Sequence, residues 1–179
     1  EGEPYCPDAL SDLCGEADAI VLGAPVYYGD INGLTKSFMD SVRIANSNGK
    51  LAVGYAVAGG SGKGLISGVQ SIYHFFYHRQ MRGVDPTPVT RFNLDAAKDA
   101  LRVSGAKLVT LAGTARPFPG AAREDRWGDV LAHYATLRYL DQGPLDEFVM
   151  LAKQLIAISE GAEGAEAQAE LDQALTLIE

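Results

Sequence analysis

The chain has 179 residues, a formal net charge of −8 and a pI of about 4.8. An acidic chain without a clustered basic face is a poor partner for nucleic acid or an anionic membrane, so both are excluded as main partners. No apolar run approaches the roughly 20 residues that cross a bilayer, and two cysteines make no disulfide framework, which together predict a cytoplasmic protein. A leader upstream of Glu1 stays an open alternative.

The first predicted element is a helix that carries Cys14 on its apolar face. We interpret Cys14 as a buried thiol and Cys6, which precedes the helix, as an incidental one, because a cysteine-held metal cluster needs four thiolates. His74 and His78 have the i, i+4 spacing of metal ligands, but no glutamate base follows His74, so we expect an ordinary helix face there. The sequence therefore predicts no metal site among these residues, and a cysteine-held cluster supplied by a segment upstream of Glu1 stays an open alternative.

A short apolar run over residues 19–22 predicts a buried parallel strand, because it is apolar on both faces and β-branched at its centre. Pro25 is expected to end this strand, since proline has no N–H to give to a sheet ladder. A loop rich in tyrosine and glycine leads from there to Asp30, and a helix is predicted from about Gly33. Ligands of open α/β sheets bind at the carboxyl ends of the strands, so we place the function in this loop.

The same order of strand, loop and helix recurs over residues 51–58, 59–64 and 65–81. The second loop has four glycines among its six residues, so a flat ligand can lie directly against its backbone N–H groups. It is not a Walker A loop, because Lys63 is followed by Gly64 instead of serine or threonine, and no placement of a dinucleotide fingerprint fits. Two such loops at one edge of a sheet predict a single cleft.

A short last strand, interrupted by Pro86 and Pro88, is predicted within residues 83–89, and the closing helix over residues 95–111. We therefore expect a first domain over residues 1–111 and a linker, rich in glycine and proline, over residues 112–122. A helical extension over residues 123–179 follows, with three predicted helices at 123–141, 145–159 and 163–178. Such an extension packs on its own domain or builds an oligomer interface, with a substrate lid as the alternative.

Residues 17–29, followed by residues 34–40, resemble the second flavin loop of the flavodoxin-like NAD(P)H-dependent FMN reductases, which include the iron–sulfur flavoproteins and related quinone reductases. Residues 58–64 are similar to the third flavin loop of that family, and residues 73–81 to the helix that follows it. The resemblance covers roughly residues 8–111. It implies a flavodoxin-like three-layer sandwich, in which a parallel sheet lies between helices.

Members of that family begin with a strand and a loop rich in serine, threonine and glycine, which holds the FMN phosphate at a helix N-terminus. This chain shows neither. A phosphate needs several N–H donors and the positive end of a helix dipole, so we expect them from a segment that precedes Glu1. The alternatives are a partner chain that supplies them and a scaffold that has lost its flavin.

The resemblance implies an enzyme in which FMN accepts a hydride from NAD(P)H and then passes electrons to a quinone, a free flavin or another acceptor. We also expect a homo-oligomer. No side-chain acid or base is required, so no catalytic residue is predicted. Tyr27 or Tyr28 would flank the flavin ring, and backbone N–H groups of both loops would face it. The predicted cofactor-binding residues are Pro25, Val26, Tyr27, Tyr28, Gly29, Asp30, Gly59, Gly60, Ser61 and Gly64.

Two other functions stay open on the same scaffold: a non-enzymatic electron carrier and a flavin-free interaction protein. A third, a phosphate or nucleotide enzyme that uses residues 59–64, is disfavoured by the failed motifs. Fold alone does not decide among them.

Overall fold

A computed structural model describes residues 7–159 and 162–177, so the predictions for Cys6 and Ile178 lie outside the described residues. Its sheet is open and parallel except for one short antiparallel strand, in the order β2-β1-β3-β4, and β5 pairs with β3 beyond the end of β4. The strands are β1 (Ala19–Tyr27), β2 (Asp30–Ile31), β3 (Leu51–Ala58), β4 (Arg82–Val84) and β5 (Val89–Thr90).

Helices account for most of the remaining described chain, and none of those described is long and apolar enough to cross a membrane. Two short 3-10 turns, Glu124–Arg126 and Arg138–Asp141, lie on either side of α5. The helices are α1 (Pro7–Glu16), α2 (Gly33–Ser41), α3 (Leu65–His78), α4 (Leu94–Ala112), α5 (Trp127–Tyr134), α6 (Pro144–Ile158) and α7 (Ala162–Thr176).

Alternate residues of β3 point into two separate cores. Ala52 and Ala56 pack in the larger core with the apolar side chains of α3, whereas Leu51 and Val53 pack with Leu108 of α4 on the opposite face. Helices therefore cover both faces of the sheet. This confirms the predicted flavodoxin-like three-layer architecture, with additional helices at its C-terminal end.

The prediction that Pro25 ends the first strand is wrong. β1 continues to Tyr27, and Pro25 stands opposite Val57 in the parallel register with β3. The carbonyl of Pro25 accepts from the N–H of Asn32, on the side away from β3. Since the N–H and C=O of one strand residue point to the same side, the N–H that proline lacks belongs to that outer side and no bond to β3 is lost.

The last strand is interrupted at its two prolines, as predicted, and appears as β4 and β5, both parallel to β3. The single helix predicted over residues 123–141 is wrong, because α5 ends at Tyr134 and a 3-10 turn follows. Within the predicted linker, Phe118 is buried, and its ring lies 4.0 Å from the Arg82 guanidinium.

The extension packs on its own domain, which is one of the arrangements that the sequence predicted. Val130, Tyr134, Leu137 and Tyr139 are buried in the larger core beside α3. The Tyr134 hydroxyl donates to the backbone carbonyl of Met81, which ties α5 to the start of β4.

Candidate functional site

A cleft of about 630 Å³ opens at the carboxyl ends of β1 and β3. Its walls come from three separate parts of the chain: the turn after β1, the glycine-rich loop after β3 with the first turns of α3, and the start of α6. The lining residues are Val26, Tyr28, Gly29, Ala58, Gly60, Ser61, Gly62, Lys63, Gly64, Ile66, Ser67, Gln70, Gln142, Gly143, Pro144 and Glu147.

The first wall, residues 26–30, is a tight hairpin turn between β1 and β2, in which Tyr27 pairs with Asp30. Its two central residues are left-handed, with φ of 53° at Tyr28 and 89° at Gly29, as type I′ hairpin turns require. The carboxylate of Asp30 accepts from the N–H of Ile31 at 2.7 Å. The conformation of this wall is therefore set mainly by local backbone geometry.

Tyr28 and Tyr27, which the sequence could not distinguish, are placed differently. Tyr28 lines the cleft and its side chain is fully exposed, whereas Tyr27 is also exposed but does not line the cleft. Six of the ten predicted residues line the cleft, and four lie beside it: Pro25, Tyr27, Asp30 and Gly59.

The second wall, residues 59–64, touches the first. A Cβ on Gly64, which has φ of 88°, would lie 2.5 Å from the Cα of Gly29, so the two loops meet glycine to glycine. The hydroxyl of Ser67, one turn into α3, donates to the Gly29 carbonyl. The two loops thus form one continuous surface.

The third wall contains a residue that the sequence reasoning missed. Glu147 of α6 is buried, and its two carboxylate oxygens accept hydrogen bonds from the N–H groups of Gly64 and Ile66, each at 2.9 Å. An acidic residue in the first turn of a helix is an ordinary feature, so no local signal marked Glu147. Its importance comes from a contact between residues 83 positions apart.

Other side chains of α6 hold the glycine-rich loop from the same side. A Cβ on Gly62, whose φ is 83°, would come within 2.3 Å of Leu151 Cδ2. Lys63 Nζ lies 5.4 Å from the ring centre of Phe148, a cation–π distance. Thr90, at the end of β5, hydrogen-bonds Gln154.

Two buried polar atoms near this wall, the Tyr139 hydroxyl and Gln142 Oε1, have no hydrogen-bond partner among the described residues. Burial raises the pKa of Tyr139, and the negative charge of Glu147 adds to the effect, so the phenol stays protonated. Within the described chain, no group of three or more histidine, cysteine, aspartate or glutamate side chains is arranged to hold a metal ion.

The sheet and its helices define an α/β protein of flavodoxin-like architecture with a cleft at the strand ends. Residues 3–92 match the model of the NADPH-dependent FMN reductases, and the chain belongs to this family. The iron-sulfur flavoprotein MJ1083 of Methanocaldococcus jannaschii is 39% identical over 97 residues, which cover 48% of this chain. The chain spans 50% of the length of that curated relative.

Two solved structures resemble the fold more distantly. The apo form of an NADH:FMN oxidoreductase, EmoB, has a TM-score of 0.47 and 17% identity, over 66% of this chain and 63% of that one. General stress protein 14 of Treponema denticola, in complex with FMN, has a TM-score of 0.43 and 13% identity, over 62% of this chain and 74% of that one.

Proposed function

We propose that this protein is an FMN-dependent oxidoreductase that uses NAD(P)H and passes electrons to a quinone, a free flavin or another acceptor. When bound, FMN would supply the chemistry, because a flavin accepts a hydride and releases electrons singly or in pairs. The observation that carries the proposal is the cleft itself, whose first two walls come from the residues that match the family model. The chain's own residues would bind, orient and shield the ring.

The cleft is suited to a flat ring system. Its volume of about 630 Å³ is in the range of small-molecule sites, which span roughly 300–1,000 Å³. A Cβ placed on Gly59 or Gly60 would meet no atom within 4 Å, so a ligand can approach the backbone of this loop. Tyr28, fully exposed at the rim, is free to cover one face of a ring.

Hydrogen-bond donors for such a ring are available on the second wall. Within the described residues, the backbone N–H groups of Gly60 and Ser61 donate to no protein atom. A reduced flavin carries negative charge next to its ring carbonyl, and fixed N–H donors aimed at that charge stabilise it without reorganisation. These two amides are therefore the groups that we expect to orient the ring.

The FMN phosphate needs a separate binding site. The N-terminus of α3 already holds the Glu147 carboxylate, so the described cleft offers no phosphate cradle there. Along residues 19–25, the side of β1 away from β3 is unpaired by any described strand. We propose that a further strand, from an upstream segment or a partner chain, adds to this edge and brings the phosphate loop.

The occupied helix terminus also counts against a phosphate or nucleotide enzyme at the second loop. Backbone N–H groups at a helix N-terminus are what a nucleotide phosphate needs, and two of them already donate to Glu147.

The proposal is tested by an absorption spectrum of the purified full-length protein with added FMN, followed by anaerobic addition of NADPH and then NADH. A bound flavin that bleaches with a pyridine nucleotide is the expected result, and the more effective nucleotide identifies the donor. A bound flavin that only dithionite reduces would make the protein an electron carrier instead. No binding in excess FMN would reject both and leave an interaction scaffold.

A cytoplasmic location and a homo-oligomer belong to the same proposal. Exposed apolar side chains, such as Leu13, Val21 and Leu34, support self-association, because such side chains lose water on contact with a second copy. Light scattering on the full-length protein measures the oligomeric state, and a monomer over the working concentration range would remove this part of the proposal.

A further inference from the structure

Glu147 fills a position at a helix N-terminus that either a neighbouring side chain or a bound anion can fill. The N-terminus of a 14-residue helix, α3, presents unpaired N–H groups and the positive end of the helix dipole, which together attract anions. Gly64, at the cap position of α3, has no side chain with which to satisfy them. The carboxylate of Glu147 does so instead, by accepting from Gly64 and Ile66.

An ordinary helix cap comes from a neighbouring residue and stabilises only its own helix. Glu147 comes from α6, on the far side of the cleft, and also lines the cleft. Its hydrogen bonds therefore connect α6, which belongs to the C-terminal extension, to the end of the glycine-rich loop and the start of α3. Leu151, one turn further along α6, packs over Gly62 of the same loop.

We propose that Glu147 is a positioning residue for flavin, a role that rests on the proposed function. Its carboxylate occupies the anion-binding N–H groups at the N-terminus of α3, so this end of the cleft binds the uncharged ring system and not the phosphate. By holding the Gly64 N–H, it also fixes the end of the loop whose Gly60 and Ser61 line the cleft.

The carboxylate has an electrostatic consequence. A negative charge at the N-terminus of α3 offsets the positive end of the helix dipole beside the cleft. Reduction adds negative charge to a bound flavin, and that charge is stabilised less when the dipole is offset. Glu147→Gln keeps the size of the side chain and removes the charge, so we expect a higher midpoint potential for the flavin bound to this variant.

The decisive experiment compares FMN with riboflavin, which has the same ring and no phosphate. Both are titrated by fluorescence into full-length wild type, Glu147→Gln, Glu147→Ala and the matched control Glu170→Gln, which removes an exposed carboxylate from α7. We expect Glu147→Ala to weaken both ligands by the same factor, about tenfold or more, since charged hydrogen bonds hold the loop. The control should bind both ligands as wild type does.

Two results would overturn the inference. If Glu147→Ala gained affinity for FMN but not for riboflavin, the terminus of α3 would be a phosphate seat that Glu147 keeps closed. If neither Glu147 variant changed either affinity or the midpoint potential, Glu147 would only cap a helix. If Glu147→Ala does not fold, Glu147→Gln decides the matter, because it keeps the side-chain volume, removes the negative charge and replaces one of the two accepting oxygens by an NH2 group that cannot accept.

A measurement without flavin separates this inference from the proposed function. Amide hydrogen exchange at Gly64 and Ile66 should be faster in Glu147→Gln and in Glu147→Ala than in wild type. In Glu147→Ala, added formate should slow the exchange by binding where the Glu147 carboxylate lies in wild type. Unchanged exchange at both amides would reject the positioning role whatever the flavin does. Wild type that binds no flavin would instead reject the proposed function, while the exchange data still report on Glu147.

Discussion

The two loops that face the cleft are held in opposite ways. The first, residues 26–30, keeps its shape mainly through its own backbone, as a hairpin turn with two left-handed residues between paired strands. The second, residues 59–64, is held from outside, by Glu147 and Leu151 of α6. The two loops thus form one surface of the cleft although they are held differently, and a change in the C-terminal helices should affect the second more than the first.

The largest effect on this comparison should come from Glu147→Ala. It removes two charge-assisted hydrogen bonds and leaves two buried N–H groups unsatisfied, so we expect the free energy of unfolding to fall by about 2–4 kcal/mol. Urea denaturation measures the loss, and Glu170→Ala, at an exposed position of α7, should change stability by less than about 0.5 kcal/mol. Equal, small losses in both variants would show that α6 does not hold the second loop.

Gly62→Ala tests the contact between the second loop and α6 from the side of the loop. The new methyl group would meet Leu151 and force an alanine into left-handed backbone, which together should cost about 1–3 kcal/mol. Adding Leu151→Ala to this variant should cost less than Leu151→Ala costs in wild type, because it relieves the overlap. Gly105→Ala, in open space on α4, is the control and should stabilise by about 0.5–1 kcal/mol.

Gly29→Ala tests the local turn. No atom lies within 4 Å of the new Cβ, so the cost should be conformational alone, about 1–2 kcal/mol. Asparagine tolerates left-handed backbone, so Gly29→Asn should lose less than Gly29→Ala in the same denaturation experiment. If the two substitutions cost the same, the turn is held by contacts and not by its backbone, and the comparison fails.

His133 tests a contact of the extension at a distance from the cleft. Its Nε2 lies 2.9 Å from the carbonyl oxygen of Gly83 in β4, and burial lowers its pKa. The unfolded chain takes up a proton below about pH 6.5 while the folded protein resists it, so stability should fall as the pH drops through this value. His133→Gln should flatten this slope and leave FMN affinity unchanged; a slope that persists would assign it to other groups.

Tyr28→Asn should have the smallest effect on stability and the opposite sign. Asparagine followed by glycine is the preferred pair for this turn, so the variant should gain up to about 0.5 kcal/mol. Loss of the exposed ring should nevertheless weaken FMN binding several-fold, as titration would show. A variant that loses stability would indicate that Tyr28 packs in the turn, and unchanged FMN affinity would remove it from the ring site.

Local patterns were enough to predict β3, the glycine-rich loop and the start of α3, because the apolar run and the glycines specify them directly. β3 has the predicted bounds, and α3 begins at Leu65 as predicted. The hairpin after β1 escaped prediction because Tyr28 is an unusual residue for left-handed backbone. Glu147 escaped for a different reason: its role is a contact across the fold, and its own sequence neighbourhood shows only an ordinary helix start.

The outer edge of β1 has a consequence for aggregation. A strand edge with unpaired N–H and C=O groups is a template on which strands of other molecules can stack, and the exposed side chain of Val21 adds an apolar surface to it. Proline is one of the residues by which natural proteins blunt such edges. Pro25, which does not terminate its strand, has no N–H on this outer side, so a foreign strand that paired along this edge would form one hydrogen bond fewer there.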